Sequence, residues 1–138
     1  MKRALVDAGP LIALFDPQDR AHGHYLQLLT KGFDRWQLHT TWPCVTEAGH
    51  FLAGVARLEM LRWVGMGGVS VFPLDPQSLL EMTPWMQAYS EPPRSVMDLA
   101  DASLYWLAVD TNVTRILTVD HRDFLRYRLP DGRAFELV

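Results

Sequence analysis

This sequence predicts an α/β fold, a parallel sheet covered by helices on both sides, on three observations. Short apolar runs near residues 3–6, 36–40, 69–74 and 115–118 alternate with stretches of helical pattern over the whole length. The first and last of those runs are followed by an aspartate, Asp7 and Asp120, at the strand end where ligands gather in open α/β sheets. The stretch from Met97 to Asp120 joins a nearly continuous apolar helix, which must be buried on most of its circumference, to the last strand.

Composition narrows the class. The 138 residues suit a single domain, 1–138, with one real core, and 49% hydrophobic and 21% charged residues are globular values. The single cysteine, Cys44, allows no internal disulfide and no cysteine metal cage, which fits a reducing, cytoplasmic setting. The opening MKRALVDAGPLIALFD places two basic residues before an apolar run, but Asp7 and Asp16 interrupt it, so it is not a secretion signal. No stretch reaches the roughly eighteen apolar residues that a membrane span needs. The net charge of −3 provides no overall field for nucleic acid, although local arginines and a bound metal can supply one.

In order, Arg3 to Val6 reads as a buried strand ending at Asp7, followed by a tight turn and a helix with Pro10 at its first position. That helix carries Leu11, Ile12, Leu14 and Phe15 and stops at Asp16-Pro17. A second helix spans Asp19 to Lys31, with Gly32 as its C-terminal cap and His22 and His24 on its surface. Trp36 to Thr40 is a short strand, and a helix from Trp42 to Ala53 bears Glu47 and, one turn later, His50. A Glu-x-x-His pair ligates iron in four-helix bundles only with a second copy, and none is present, so Glu47 is expected to face the same cleft as Asp7 and His50 reads as a core-edge residue, with a place behind a ligand as the alternative. Arg57 to Val64 is a short helix closed by Gly65-Met66-Gly67-Gly68, which lacks the spacing and the Lys-Ser/Thr of a P-loop. Val69 to Leu74 is the third strand. Gln77 to Tyr89 is helical in pattern, with Pro84 expected to kink or divide it. Ser95 is suited to cap the late helix, with Asp98 completing a capping box. Asn112 ends that helix, Arg115 to Thr118 is the fourth strand, HRDFLRYR is a short helix or turn, and Ala134 to Leu137 is an edge strand.

The chemistry lies in four widely spaced acids, Asp7, Glu47, Asp101 and Asp120. Asp98 and Asp101 share one face of their helix, with Tyr105 four residues further on the same stripe. Buried ionised carboxylates are costly without a cation or donors, so the stripe should open onto a metal, a cation or a polar cleft. Asp98 also suits the favourable end of the helix dipole, whereas Asp101 lies too deep to be only a cap. If the first and fourth strands are neighbours at the topological switch point, all four acids converge on one cleft. Clustered carboxylates without a cation retain at least one proton; all-oxygen ligation without cysteine points to Mg²⁺ or Mn²⁺. Such a site suits phosphodiester hydrolysis. Thr118 points to the same side as Asp120 and either orients a ligating carboxylate or bonds to backbone. Arg122, Arg126 and Arg128 either bind phosphates beside the metal or form a solvated face pairing with Asp123 and Asp131.

The stretches LVDAGPLIALFD, VTEAGH, DLADASLYWLA and ILTVDHRDF, in that order and spacing, resemble the PIN-domain family, especially the VapC-like toxin ribonucleases, across essentially the whole chain. The resemblance implies a three-layer α/β/α sandwich with a central parallel sheet, and an acidic cluster that binds Mg²⁺ or Mn²⁺ to cleave RNA. It assigns catalytic and metal-binding roles to Asp7, Glu47, Asp101 and Asp120, and Asp98 matches an extra aspartate of some members. Asp123 matches a second aspartate of the last motif that is expected to be peripheral. Ala8 departs from the pattern, since many members have Ser or Thr there to support the metal. The resemblance further implies a homodimer and a small antitoxin partner. Trp36, Trp42, Trp63 and Trp85 are expected in the core, with partner surfaces as the alternative.

Two other functions compete. A phosphatase or phosphotransfer domain needs a lysine beside a nucleophilic aspartate, and Lys2 and Lys31, the only lysines, are badly placed for it. A catalytically silent PIN-like binding module would have no need for a repulsive acidic cluster.

Overall fold

A computed structural model describes all 138 residues. Five parallel strands, β1 (Lys2–Val6), β2 (Trp36–Thr41), β3 (Ser70–Phe72), β4 (Arg115–Leu117) and β5 (Glu136–Leu137), form one sheet in the order β3-β2-β1-β4-β5. The chain builds outward from β1 to β3, then returns across β1 to lay down β4. The switch point therefore falls between β1 and β4, where Leu5 pairs with Ile116 and Val6 with Leu117.

Seven helices cover the sheet: α1 (Ala8–Phe15), α2 (His22–Thr30), α3 (Trp42–Phe51), α4 (Gly54–Gly65), α5 (Leu79–Ala88), α6 (Leu99–Thr111) and α7 (His121–Arg126). Strand alternation divides the apolar side chains between two cores. Ala4, Val6 and Leu117 pack with Leu11, Tyr25 and Met60 on the side of α1, α2 and α4. Leu5 and Ile116 pack with Met82, Leu104, Leu107 and Phe124 on the side of α5, α6 and α7. The result is a three-layer α/β/α sandwich. Helix α3 leaves β2 without a loop and contributes Cys44 to one core and Val45 and Ala48 to the other.

Several local expectations are corrected. Asp7, not a turn before Pro10, starts α1: it is the N-cap, and its side chain accepts from the Ala8 N–H. Helix α2 begins at His22, because Asp19 accepts the Ala21 N–H in a preceding turn, and the Lys31 cap is followed by a Gly32 that is not left-handed. A Cβ at Gly32 would instead come within 3.2 Å of the Leu28 carbonyl. Helix α4 is longer than expected, since Gly54 starts it at φ 55°. Pro84 does not divide α5; Leu80 and Pro84 are both exposed, so the carbonyl left without an N–H partner faces water. Ser95 does not cap α6. Asp98 does, and Asn112 closes that helix in the left-handed region at φ 59°.

Candidate metal centre

Of the helices that begin at the carboxyl end of the sheet, three are capped by an aspartate. Asp7 caps α1, Asp98 caps α6 through the Asp101 N–H (2.9 Å), and Asp120 caps α7 through the Asp123 N–H (3.1 Å). Capping binds one oxygen of each carboxylate and aligns three helix N-termini, whose partial positive charge favours anions, with the same region. The third position of the last two helices carries another aspartate, Asp101 in α6 and Asp123 in α7. Asp101 is thus in the first turn of α6, not deep in the helix as its apolar neighbours suggested, yet its carboxylate caps nothing. Its Oδ2 instead accepts the buried Tyr127 hydroxyl at 2.6 Å.

Thr118 ties β4 to the cluster at two points. Its hydroxyl donates to Asp7 Oδ2 at 2.8 Å and accepts the Asp120 N–H at 3.0 Å, so both readings of this residue hold together: it orients a carboxylate and it bonds to backbone. Carboxylate oxygens of Asp101, Asp120 and Asp123 lie within 4.8 Å of one another, a spacing that a single cation can bridge. Asp123, expected at the periphery, therefore stands in the cluster. Glu47 is half-buried on α3 and makes no side-chain hydrogen bond, and its carboxyl is coupled electrostatically to Asp7 and Asp98.

The proton affinities report the strain of this arrangement. Burial pushes the Asp7 carboxyl up against the lowering effect of its Thr118 and Ala8 bonds, with Asp120 and Asp98 pushing the same way as burial. Asp101 rises to about 8, first through burial, then through Asp7, Asp98 and Asp120, while the Tyr127 bond opposes the rise. Glu47 and Asp120 are also raised, chiefly by burial. Burial and donation to Asp101 push the Tyr127 hydroxyl far up, so it remains a donor. No lysine or arginine forms an ion pair with Asp7, Glu47, Asp98, Asp101 or Asp120. Oxygen donors without a protein cation suit a hard divalent ion such as Mg²⁺ or Mn²⁺.

The arginines divide. Arg126 pairs with Asp123 at 3.0 Å, donates to the Tyr89 carbonyl and lies over the Tyr127 ring at 4.9 Å, so its guanidinium is engaged on the rim of the cluster. Arg122 is exposed and donates to the Arg94 carbonyl, and Arg128 donates to the carbonyls of Leu125 and Tyr127. Tyr105 lies one turn beyond Asp101 on α6, but its hydroxyl does not reach the carboxylates: it is buried beside Trp85 and donates to the Arg128 carbonyl. Of the tryptophans, Trp36, Trp63 and Trp85 are partly buried and Trp42 is exposed, as is His50. Tyr127 and Asp123 were the residues missed in the sequence. The repeated spacing of Asp98-x-x-Asp101 and Asp120-x-x-Asp123 is the signal that marks Asp123; no comparable pattern marks Tyr127.

The fold is the PIN-like fold of VapC proteins. It superimposes with a TM-score of 0.71 on Mycobacterium tuberculosis VapC20, a sarcin-ricin loop cleaving toxin, over 88% of this chain and 92% of that one, at 12% sequence identity. No protein-family profile and no curated protein sequence matches the chain.

Proposed function

We propose that this protein is a metal-dependent endoribonuclease that hydrolyses RNA phosphodiester bonds, with residues 1–138 acting as a single PIN-like domain. The observation that carries this reading is the carboxylate cluster at the switch point, in which Asp7, Glu47, Asp101 and Asp120 have raised proton affinities and no basic side chain pairs with them. Asp7, Glu47, Asp101 and Asp120, with Asp98 beside them, hold Mg²⁺ or Mn²⁺. When bound, the metal supplies activation of water and stabilisation of charge on the phosphate oxygens.

The chain's own groups do the rest. Thr118 holds Asp7 and the Asp120 backbone in a common frame, which substitutes for the hydroxyl that Ala8 does not offer. Tyr127 orients Asp101 by donating its hydroxyl to Oδ2, which leaves Oδ1 for the metal. Glu47 makes no side-chain hydrogen bond within the protein, which would leave its carboxylate free to hold the metal or a water on it. Arg122, exposed next to Asp120, contributes to phosphate binding, whereas Arg126 contributes by holding Asp123 and Tyr127 in place.

The likeness to a toxin fold supports a role as the toxin of a type II toxin-antitoxin pair, with a small antitoxin and a second copy of the chain as partners. Exposed Trp42, Phe51, Val55 and Leu58 on α3 and α4 suit such contacts. The phosphotransfer alternative loses support, since Lys2 pairs with Asp34 at the opposite end of the sheet. No helix is long and apolar enough to cross a membrane. The test is incubation with RNA in Mg²⁺ or Mn²⁺. Cleavage that EDTA abolishes supports the proposal; cleavage that persists in EDTA, or none with either metal, refutes it.

A further inference from the structure

Beside the acidic cluster lies a separate surface cavity of about 380 Å³, lined by Ala21, His24, Tyr25, Val119, His121 and the last two residues of the chain. It contains none of the carboxylates. Its size is at the low end of small-ligand sites, and its lining is mostly apolar with two imidazoles. His24 meets the Tyr25 ring edge-on at 4.7 Å, and both histidines are exposed.

Two of its walls are tied to the candidate metal ligands. Val119 and His121 are the residues on either side of Asp120. Tyr25 donates its hydroxyl to the Thr118 carbonyl at 3.0 Å, and the Thr118 hydroxyl in turn holds Asp7. Gly9 permits the same closeness from α1, since a Cβ there would fall 2.4 Å from the Val119 side chain. The cavity therefore stands at a fixed offset from the carboxylates, set by one residue of chain on one side and one hydrogen bond on the other.

We propose that this cavity holds one nucleobase of the RNA strand, and that it thereby selects which phosphodiester is presented at the acidic cluster. The assignment rests on the nuclease reading and adds to it a base-binding subsite formed by His24, Tyr25, Val119 and His121. Every base has a π-face, which an imidazole or an aliphatic wall can cover, and the imidazole nitrogens can pair with a base edge. The apolar floor makes the cavity a poor phosphate site, so the backbone runs outside it, toward the carboxylates and exposed Arg122.

The experiment is binding of a fluorescent single-stranded oligoribonucleotide in Ca²⁺, followed by anisotropy, with the RNA confirmed intact afterwards. A set of oligonucleotides, each carrying one abasic nucleotide, is compared with the unmodified strand. Wild-type protein should lose affinity roughly tenfold at one abasic position, the factor that losing one stacked base produces. The double variant His24→Ala/His121→Ala changes only exposed positions and should keep the wild-type melting temperature. It should bind the unmodified strand as weakly as wild type binds the critical abasic strand, with no further loss on the abasic one. Equal binding of the unmodified strand by variant and wild type overturns the assignment. So does wild-type binding that ignores base removal at every position, which would leave the cavity to a protein side chain. Absence of RNA binding overturns it as well. Base-dependent binding without metal-dependent cleavage would refute the nuclease reading alone, whereas cleavage without base dependence would refute the subsite alone.

Discussion

The two ends of the sheet treat charge in opposite ways. At the amino ends of the strands, Lys2 pairs with Asp34 at 2.8 Å and Arg115 with Glu136 at 3.4 Å, and both cations lie near the Trp36 ring, at 5.7 and 6.0 Å. These side chains are partly open to water, which screens them and stabilises either partner alone. At the carboxyl ends, Asp7 and Asp101 are only 7% and 8% exposed, and no basic side chain pairs with them. Apart from Asp123, which Arg126 pairs on the rim, pairing thus occurs where charge is cheap and is missing at Asp7 and Asp101, where charge is expensive. An arrangement built for stability would have the reverse distribution, so the unpaired end is the one to be explained by binding.

The contrast breaks most readily at Asp101. Asp101→Asn should lower metal-dependent RNA cleavage by at least ~100-fold, as loss of a metal ligand does, and wild-type rates in a single-turnover assay would remove Asp101 from the site. The pH dependence of stability sharpens the contrast next. The Asp101 carboxyl is raised to about 8 from its ordinary 3.8, so between those values the metal-free folded state binds more protons than the unfolded chain. Its contribution to stability is therefore full below pH 3.8 and lost as pH rises through about 8. In EDTA, thermal unfolding should show a midpoint that falls over this range, with a flatter profile for Asp101→Asn and a higher midpoint than wild type at the alkaline end. A wild-type midpoint independent of pH would contradict the electrostatic account.

A smaller effect is expected at Tyr127, which touches the cluster without belonging to it. Tyr127→Phe removes the hydrogen bond to Asp101 and should weaken Mn²⁺ binding roughly tenfold, measured by calorimetric titration, with a stability loss of about 1 kcal/mol. Unchanged Mn²⁺ affinity would make that bond irrelevant to the site. The smallest effect belongs to the other end of the sheet. Lys2→Ala should alter unfolding free energy by less than about 1 kcal/mol in urea titration, because the pair is exposed. A larger loss there would erase the distinction between the two ends.

Much of this was legible in the chain itself. The run from Arg3 to Val6 into Asp7, and that from Arg115 to Thr118 toward Asp120, specify strands delivering carboxylates, because both motifs are local in sequence. The burial of α6 followed from its apolar pattern, and its end at Asn112 from the residue type. Helix starts were less legible. Ser95 and Asp98 are both good caps, and only the fold shows that Ser95 is drawn into a turn with Glu91 while Asp98 accepts the Asp101 N–H. Tyr105 and Tyr127 look equivalent in composition, yet only Tyr127 reaches Asp101, since helix packing turns Tyr105 toward Trp85.

The sequence by itself determined the alternation of strands and helices and the residue types able to bind a hard cation, because periodicity and capping act over a few residues. Only the tertiary structure decided that β4 lies beside β1, that Thr118 joins Asp7 to Asp120, and that Asp123 enters the cluster while Arg126 stays on its rim. Those outcomes link residues more than a hundred positions apart as well as near neighbours, and packing sets them across the switch point, where no local propensity operates.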